Sequence, residues 1–336
     1  MFFKRLGIDL GTANSLVYLE GKGIVLNEPT VVAVSLREKK VLAIGKEAKE
    51  MLGRTPDSII ASKPMKDGVI ANYQITEAML RFFLQKVCGR SFLFKPEVMI
   101  CVPAGCTQVE KRAVEDAALS AGARKVYLIH EPLAAAIGAG ISIAEASGNI
   151  IVDIGGGAAE AAVISLGTVV AAKSLRVGGG KIDDAIANYV RKKHGLAIGE
   201  TTAETVKIKI GSAIKLKKEE NKKIMIKGRD NLSSLPRKIE MGTNEVVLAI
   251  EPVLEQVAGM IKSVLAEVPP ELAADIIDKG IVMSGGTALL QNFDKFLIKA
   301  TGVPCYAAEE PLLCVVKGTG IALGNLEKYK RNLTVI

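Results

Sequence analysis

The chain has 336 residues, 49% of them apolar, with 44 basic against 36 acidic side chains and a formal net charge of +8. That length allows two domains, each with its own core, and that apolar content excludes an intrinsically disordered chain. Every long apolar stretch meets Gly, Pro or a charge before about 18 residues, which excludes a transmembrane helix. Residues 1–5 (Met-Phe-Phe-Lys-Arg) are too short for the apolar part of a signal peptide. The five cysteines (Cys88, Cys101, Cys106, Cys305, Cys314) are odd in number and form no CxxC pair. They read as buried, reduced thiols of a cytosolic protein rather than as disulfides or metal ligands.

Leu6-Gly-Ile-Asp-Leu-Gly-Thr-Ala-Asn-Ser15 runs from an apolar strand through Asp9 into a glycine. Residues 4–35 read as a three-strand meander, with a turn at Gly21-Lys-Gly23 and a break at Asn27-Glu-Pro29. A small insertion follows, to about residue 63, with a strand at 41–44 and a helix at 45–51. Asp67-Gly68 is a turn. Met79, Leu80, Phe83 and Leu84 fit an amphipathic helix, with Thr76 as its cap. Residues 96–103 are a strand between prolines, and 109–121 a helix showing Glu110, Lys111, Glu115 and Asp116. Residues 125–129 are a strand. Glu131-Pro132 then opens a helix over 133–141, where proline suits the first turn.

Ile151-Val-Asp-Ile-Gly-Gly-Gly157 is a β-branched run ending in an acid and three glycines. Without a Cβ, glycine lets backbone N–H groups approach a phosphate closely. Asp153 stands where a divalent cation or an attacking water would be held. An ordinary tight turn would explain this stretch alone; the second copy around Asp9 argues for more. Each copy is followed by another strand-like run and another glycine, Gly21 or Gly167. Two strand–acid–glycine hairpins half a chain apart suggest a duplicated domain closing on one phosphate chain.

Further on, residues 169–177 read as a strand and Gly178-Gly-Gly180 precedes a helix over 182–194. A larger insertion spans 195–243, with a helix at 204–216, a lysine-rich run from Lys207 to Lys227 and a strand pair at 224–226 and 238–241. A long helix at 248–268, a strand at 279–286 entering a glycine turn, a helix at 289–300 and a last helix near 318–328 complete the chain. The alternation predicts an α/β fold of two similar halves, each a mixed sheet with helices on both faces. The positive charge points to an anionic partner: nucleotide, acidic lipid or nucleic acid. The lysine run carries no interleaved aromatics, so it reads as a solvated face and not as a nucleic-acid platform.

Five motifs stand in order: Asp9-Leu-Gly-Thr-Ala-Asn14, Glu131-Pro-Leu-Ala-Ala-Ala136, Asp153-Ile-Gly-Gly-Gly157, Gly178-Gly179 before a helix, and Val282-Met-Ser-Gly-Gly286. Together they resemble the actin/heat-shock-chaperone/sugar-kinase ATPase superfamily. In detail the chain resembles the MreB-like bacterial actins (MreB/Mbl family), through Asn27-Glu-Pro-Thr30, Lys66-Asp-Gly-Val-Ile-Ala71, Lys111-Arg-Ala-Val114 and Val126-Tyr-Leu-Ile129 among others. The resemblance covers essentially the whole chain. It implies an actin-like ATPase fold: two duplicated ribonuclease H-like domains, each with a small inserted subdomain, and a nucleotide cleft between them. The first domain would take residues 1–145 and the C-terminal helix at 313–336, with the small subdomain at 33–65. The second would take 146–312, with the small subdomain at 182–243.

The cofactors implied are ATP and Mg2+. Gly11, Thr12, Ala13 and Asn14 would surround the β- and γ-phosphates from one half, and Gly155, Gly156 and Gly157 from the other, with Gly179 beside them. Asp9 and Asp153 would hold magnesium through its waters. Glu131 matches the residue that orients the attacking water, which makes Glu131 and Asp153 the catalytic pair. The alternative for Glu131 is a first-turn acid favoured by the helix dipole. Gly285, Gly286 and Thr287 would meet the α-phosphate and adenosine. Glu204 and Lys207 would meet ribose and base, the alternative being an ordinary surface ion pair. His130 beside Glu131 has a suitable pKa for a proton relay, but alternation along a strand end points it away.

The chain departs from the family pattern at Ala158 and Ala159, where two threonines are usual, at Gly180, where an acid is usual, and at Thr287, where a third glycine is usual. Loss of a hydroxyl that positions water predicts retained ATP binding and slow hydrolysis. Phe92, Leu93 and Phe94 between Arg90 and Lys95 suit an anionic membrane surface, the alternative being a core-packed loop. The resemblance implies self-association into filaments, or copolymers with paralogues, with the helix at 109–121 as a lateral contact. It also implies partners among cell-wall elongation proteins, and a place in the cytoplasm at the inner face of the membrane. Three alternatives stay open: a chaperone-type ATPase, for which no substrate-binding domain is present, a sugar or acetate kinase, and a non-hydrolysing, copolymerising paralogue.

Overall fold

The computed structural model describes residues 4–89, 95–330 and 333–335. Two large sheets form the frame. The first runs in the order Thr334–Val335, Lys125–His130, Glu97–Val102, Arg5–Leu10, Asn14–Leu19 and Gly23–Pro29. The second runs Thr168–Leu175, Ala159–Ser165, Asn149–Ile154, Ile281–Ser284 and Cys305–Ala307. In each, the strand that ends near the key acid pairs antiparallel with the strand after it and parallel with one from much later in the chain. The duplicated hairpin is thus a repeated piece of topology.

The strands Asn149–Ile154 and Ala159–Ser165 are buried at every residue, which fits a sheet covered on both faces. One face packs under the helices Gly179–His194 and Thr243–Leu265 through Ile182, Ile186, Ile250 and Leu254. The other face shares a core with the first sheet, in which Ile151 and Ala162 meet Met99 and Ile129 through the helices Glu131–Gly138 and Cys314–Gly324. These two helices cross at glycines: a Cβ on Gly138 would overlap the backbone at Cys314, and one on Gly318 the backbone at Ala134. That close crossing sets Glu131, at the first turn, between the two sheets. Two small three-stranded sheets stand apart from the frame. One joins Lys40–Ile44, Val32–Ser35 and Ile59–Ser62; the other joins Leu196–Ala197, Lys223–Asp230 and Pro236–Gly242.

Several elements differ from the sequence expectation. The expected break at residues 27–29 lies inside a strand, since Gly23–Pro29 pairs with Asn14–Leu19 as far as Pro29. Pro29 is the last residue of that strand, where a missing N–H is tolerated. The cap of the helix Tyr73–Cys88 is Asn72, whose side chain accepts from Ile75 N at 3.1 Å. Thr76 is buried inside the first turns and donates its hydroxyl to Asn72 O at 2.7 Å. The helix expected at 204–216 is Glu200–Ile210, because after Gly211 the chain turns to bond with Gln291. The long helix starts earlier, at Thr243, where Glu245 caps Gly242 N at 3.1 Å. A further helix, Pro270–Lys279, which the sequence reading did not include, starts at a proline, where a missing N–H is tolerated in the first turn. The helix expected at 289–300 is a 3-10 turn, Gly286–Leu289, and a separate helix, Phe293–Thr301.

Candidate functional site

Between the two sheets opens a cleft of about 560 Å³. From the first half its lining includes Asp9, Gly11, Thr12, Ala13, Asn14 and Glu131. From the second come Asp153, Gly155, Gly156, Gly157 and Gly179, then Glu204 and Lys207, and finally Gly285, Gly286 and Thr287. Residues 92–94, expected at a membrane, lie outside the described residues.

The two glycine turns meet face to face. A Cβ on Gly156 would lie 2.6 Å from that of Ala13, and one on Gly157 would overlap the Thr12 hydroxyl, so only glycine lets the halves come this close. Thr12 Oγ1 in turn accepts from Gly68 N at 3.1 Å. The carbonyls of Gly155 and Gly156 accept from Gly179 N and Gly180 N at 2.9 and 2.8 Å. The turn's carbonyls are thereby tied to the start of the helix Gly179–His194. Among the described residues, no backbone acceptor takes the N–H of Gly11, Thr12, Gly156 or Gly157. Unpaired N–H groups in two facing turns at a helix start suit an anion. Thr287, the residue standing for a third glycine, donates its hydroxyl to Gly155 O at 3.3 Å and braces the same turn.

Acids surround these turns. Asp153 is 5% exposed and receives the Ser284 hydroxyl at 2.6 Å. Burial pushes its carboxyl up to about 6, with the Ser284 bond opposing. Asp9 is pushed up to about 7, by burial first and the charge of Asp153 second. Its neighbour is the Cys101 thiol, which donates at 3.5 Å. Glu131 is held well above the usual carboxylate range, by burial and then by the charges of Glu160, Asp153 and Asp9. Crowded acids, Asp153 buried and Asp9 and Glu131 half-buried, beside an open cleft favour a cation among them. No group of three His, Cys, Asp or Glu side chains converges to hold a metal directly among the described residues.

Glu204 and Lys207 do not pair with each other. Lys207 Nζ donates to Asp183 at 2.9 Å and to Gly179 O at 3.1 Å, which fixes it on the first turn of Gly179–His194. Glu204 pairs with Lys49 at 2.8 Å, and Glu200 with Lys63. These pairs join the two small sheets' units over the cleft mouth.

The alanines at 158 and 159 part ways. Ala158 lines the cleft, whereas Ala159 is fully buried in the second sheet's core. Only the first of the two missing hydroxyls would face the cleft. Gly180 and His130 are absent from the lining. His130 Nδ1 is buried without a partner, and burial lowers the ring's pKa. Of the lysine run, Lys209 and Lys222 reach the cleft lining, Lys223 pairs with Glu240, and Lys215, Lys217 and Lys218 are exposed. Cys101, Cys305 and Cys314 are buried free thiols, and Cys88 and Cys106 half-buried ones.

Four polar residues of this region escaped the sequence reading: Ser284, Asp183, Glu160 and Ser174. Glu160 carried a signal, being a lone acid inside an alanine- and valine-rich strand, and Asp183 carried a weaker one, as an acid on the buried face of its helix. Both serines are ordinary strand residues and carried none.

Two matched sheets with crossing helices, a small sheet on each half and facing glycine turns define an actin-like ATPase fold. The family model described as MreB/Mbl protein matches residues 3–331. The chain is 48% identical over 338 residues to the cell shape-determining protein MreB of Escherichia coli (strain K12), across 99% of this chain and 97% of that protein. It is 47% identical over 335 residues to the cell shape-determining protein Mbl of Bacillus subtilis (strain 168), across 99% and 100%. The crystal structure of MreB5 of Spiroplasma citri bound to AMPPNP matches with a TM-score of 0.92 at 35% identity, over 98% of each chain. A MamK double helical filament matches at 0.81 over 96% of this chain and 98% of that one; at 20% identity it speaks for the fold alone. The chain belongs to the MreB/Mbl family and is a cytoskeletal, actin-like protein.

Proposed function

We propose that this protein binds ATP with Mg2+ in the cleft, hydrolyses it slowly, and assembles into membrane-bound filaments that organise cell-wall synthesis and rod cell shape. One observation carries this: two glycine turns with unpaired N–H groups face each other across a cleft lined by Asp9, Asp153 and Glu131. Relatives support it. MreB5 of Spiroplasma citri was solved with AMPPNP and with ADP, and the relatives in Escherichia coli and Bacillus subtilis are named for cell shape.

The residues fit the cofactor, since the raised carboxyls of Asp9 and Asp153 are ones a cation between them would relieve. Bound Mg2+ supplies charge neutralisation for phosphoryl transfer. Asp9 and Asp153 would hold it through water, and the free N–H groups of Gly11, Thr12, Gly156 and Gly157, with Ala13, Asn14 and Gly155 lining the same turns, would hold the phosphates. Glu131 orients the attacking water from the start of its helix. Gly179, Gly285, Gly286 and Thr287 accommodate the α-phosphate and adenosine, and Glu204 and Lys207 the ribose and base. At 158 a methyl group stands where a hydroxyl would help place the water, which makes turnover slow.

We read the chain as two domains, 1–145 with 313–336 and 146–312, whose small subdomains are 33–65 and 182–243. The segment Arg90-Ser-Phe-Leu-Phe-Lys95 is the membrane contact, on its sequence. No helix of the described residues is long and apolar enough to cross a membrane. Partners are further copies or paralogues and the cell-wall elongation proteins. A second reading, a non-hydrolysing paralogue that copolymerises with an active one, is favoured by Ala158 in the cleft wall.

The test is electron microscopy with ATP on anionic liposomes, together with phosphate release. Filaments on the bilayer and slow release are expected. Soluble monomers that phosphorylate a sugar would overturn the proposal, and filaments without any release would favour the second reading.

A further inference from the structure

One row of polar side chains crosses four strands of the second sheet. Ser284 sits opposite Asp153, Asp153 opposite Glu160, and Glu160 opposite Ser174. Of these only Asp153 lines the cleft; Ser284 lies fully buried behind it. Glu160 does not line it and is 1% exposed. Burying a carboxylate is expensive, so one retained in a strand otherwise of alanine, valine, isoleucine and a terminal serine calls for donors that use it. The donors come mainly from the other half. Both Glu160 oxygens accept from Ala104 N, at 2.9 and 3.1 Å. The Gly105 backbone and the Ser174 hydroxyl also favour the ionised form of Glu160, while burial, the larger influence, pushes its carboxyl up to about 7.

Residues 103–105 follow the strand Glu97–Val102, whose last residue pairs with His130, the residue before Glu131. The loop lies close on the second sheet, since a Cβ on Gly105 would come 3.0 Å from that of Ser174. At the cleft mouth the part-exposed pairs Lys49–Glu204 and Lys63–Glu200 also join the halves. Exposed ion pairs are weak, and charge-assisted bonds to a buried carboxylate are strong.

We propose that Glu160 is a positioning residue: it fastens residues 103–105 of the first half to the sheet of the second, and so fixes Glu131 relative to the glycine turn at 155–157. Its effect on rate rests on the hydrolysis proposed above; its effect on the loop does not.

The test uses the full chain with Glu160→Ala, Glu160→Gln and Ser174→Ala. Hydrogen exchange is followed at the Ala104 amide without nucleotide. ATP affinity and single-turnover phosphate release are compared at each variant's pH optimum. Glu160→Ala should speed exchange at Ala104 and slow release, each by about tenfold, the scale of one lost charge-assisted bond, while ATP affinity changes by under about threefold. Glu160→Gln still presents an acceptor oxygen and should stay within about threefold on all counts. If Glu160→Ala does not fold, Ser174→Ala should speed exchange by a smaller factor of about threefold. Unchanged exchange in Glu160→Ala, or in Ser174→Ala where that is the variant measured, overturns the proposal. So does Glu160→Gln losing as much rate as Glu160→Ala with its loop still protected, which would make the carboxylate a proton-transfer group. A wild type that releases no phosphate sinks the hydrolysis reading instead, and the exchange comparison then decides the fastening on its own.

Discussion

Asp9 and Asp153 occupy the same place in two copies of one strand arrangement, and their neighbours differ. Across the hairpin Asp9 faces Leu16, while Asp153 faces Glu160. On the parallel side Asp9 meets the thiol of Cys101 at 3.5 Å, while Asp153 meets the hydroxyl of Ser284 at 2.6 Å. A thiol is a weak donor and a hydroxyl a good one. Asp9 is pushed up to about 7, by burial, then the charge of Asp153, with the Cys101 thiol opposing least, and Asp153 to about 6, by burial with the Ser284 hydroxyl opposing. Duplication repeats the backbone and leaves the electrostatics free to diverge. Both carboxyls are raised, Asp9 further than Asp153.

Removing each acid gives the largest expected effects and tests this asymmetry directly. Asp153→Asn should weaken Mg2+-dependent ATP binding by about 100-fold and Asp9→Asn by about 10-fold, the range for residues that hold a metal indirectly. Titration calorimetry with and without Mg2+ reads both. Equal losses would break the comparison, and a larger loss from Asp9→Asn would reverse it.

Next in size is Ala158→Thr, expected to raise phosphate release by about 10- to 100-fold, reaching the lower end of the scale of one preorganised donor. Ala159→Thr is its control, because that side chain is buried in the core and a hydroxyl there would face no cleft. A wild type already fast, with no gain from Ala158→Thr, would show that the cleft does not need the hydroxyl. Gain from Ala159→Thr alone would show that the wrong position has been singled out.

The difference between these two alanines was hidden in the sequence, which shows them as equivalent departures. The strand–acid–glycine hairpins were legible because every residue that makes them is local: β-branched run, acid, glycine. The same is true of the turn at Asp67-Gly68, where both residues have positive φ. What the sequence left unread depends on partners far along the chain. Ser284 reaches Asp153 across 131 residues and Glu160 reaches Ala104 across 56. Lys207 was placed on a helix correctly, yet its partner, Asp183, is on another helix. Thr76 looked like a cap because threonine caps well; the chain bends four residues earlier, where Asn72 does the same work. Helix ends failed where a tertiary contact decided them, as at Gly211 and Gln291.

Stability against pH gives a smaller effect with a definite sign. The folded carboxyls of Asp9 and Asp153 titrate near 7 and 6, against an ordinary value of 3.8. Between about pH 4 and 7 the unfolded chain has released protons that the folded chain keeps, so rising pH favours unfolding, by up to about 1.4 kcal/mol per pH unit for each such group. The nucleotide-free protein should therefore be less stable to urea at pH 7.5 than at pH 5.5, and Asp9→Asn should flatten that slope. A wild type whose stability rises across this window would show that the acids are not held protonated in the fold.

The smallest expected effect comes from exchanging the neighbours while keeping the acids. Cys101→Ser would give Asp9 a hydroxyl like the one Asp153 has, at the cost of a slightly smaller side chain in a packed site. A better donor to the carboxylate lowers its pKa, so Asp9 would stay ionised at lower pH. Metal binding needs the ionised form, so the pH midpoint of Mg2+-dependent ATP binding should move toward acid. Ser284→Ala should move it toward base, by removing the bond that opposes the burial of Asp153. Each shift corresponds to about 1 kcal/mol, the net worth of one hydrogen bond. Opposite shifts from the two changes would tie the asymmetry to these two neighbours. Shifts in the same direction, or none from Cys101→Ser, would mean that the charge of Asp153, and not the thiol, decides how Asp9 titrates.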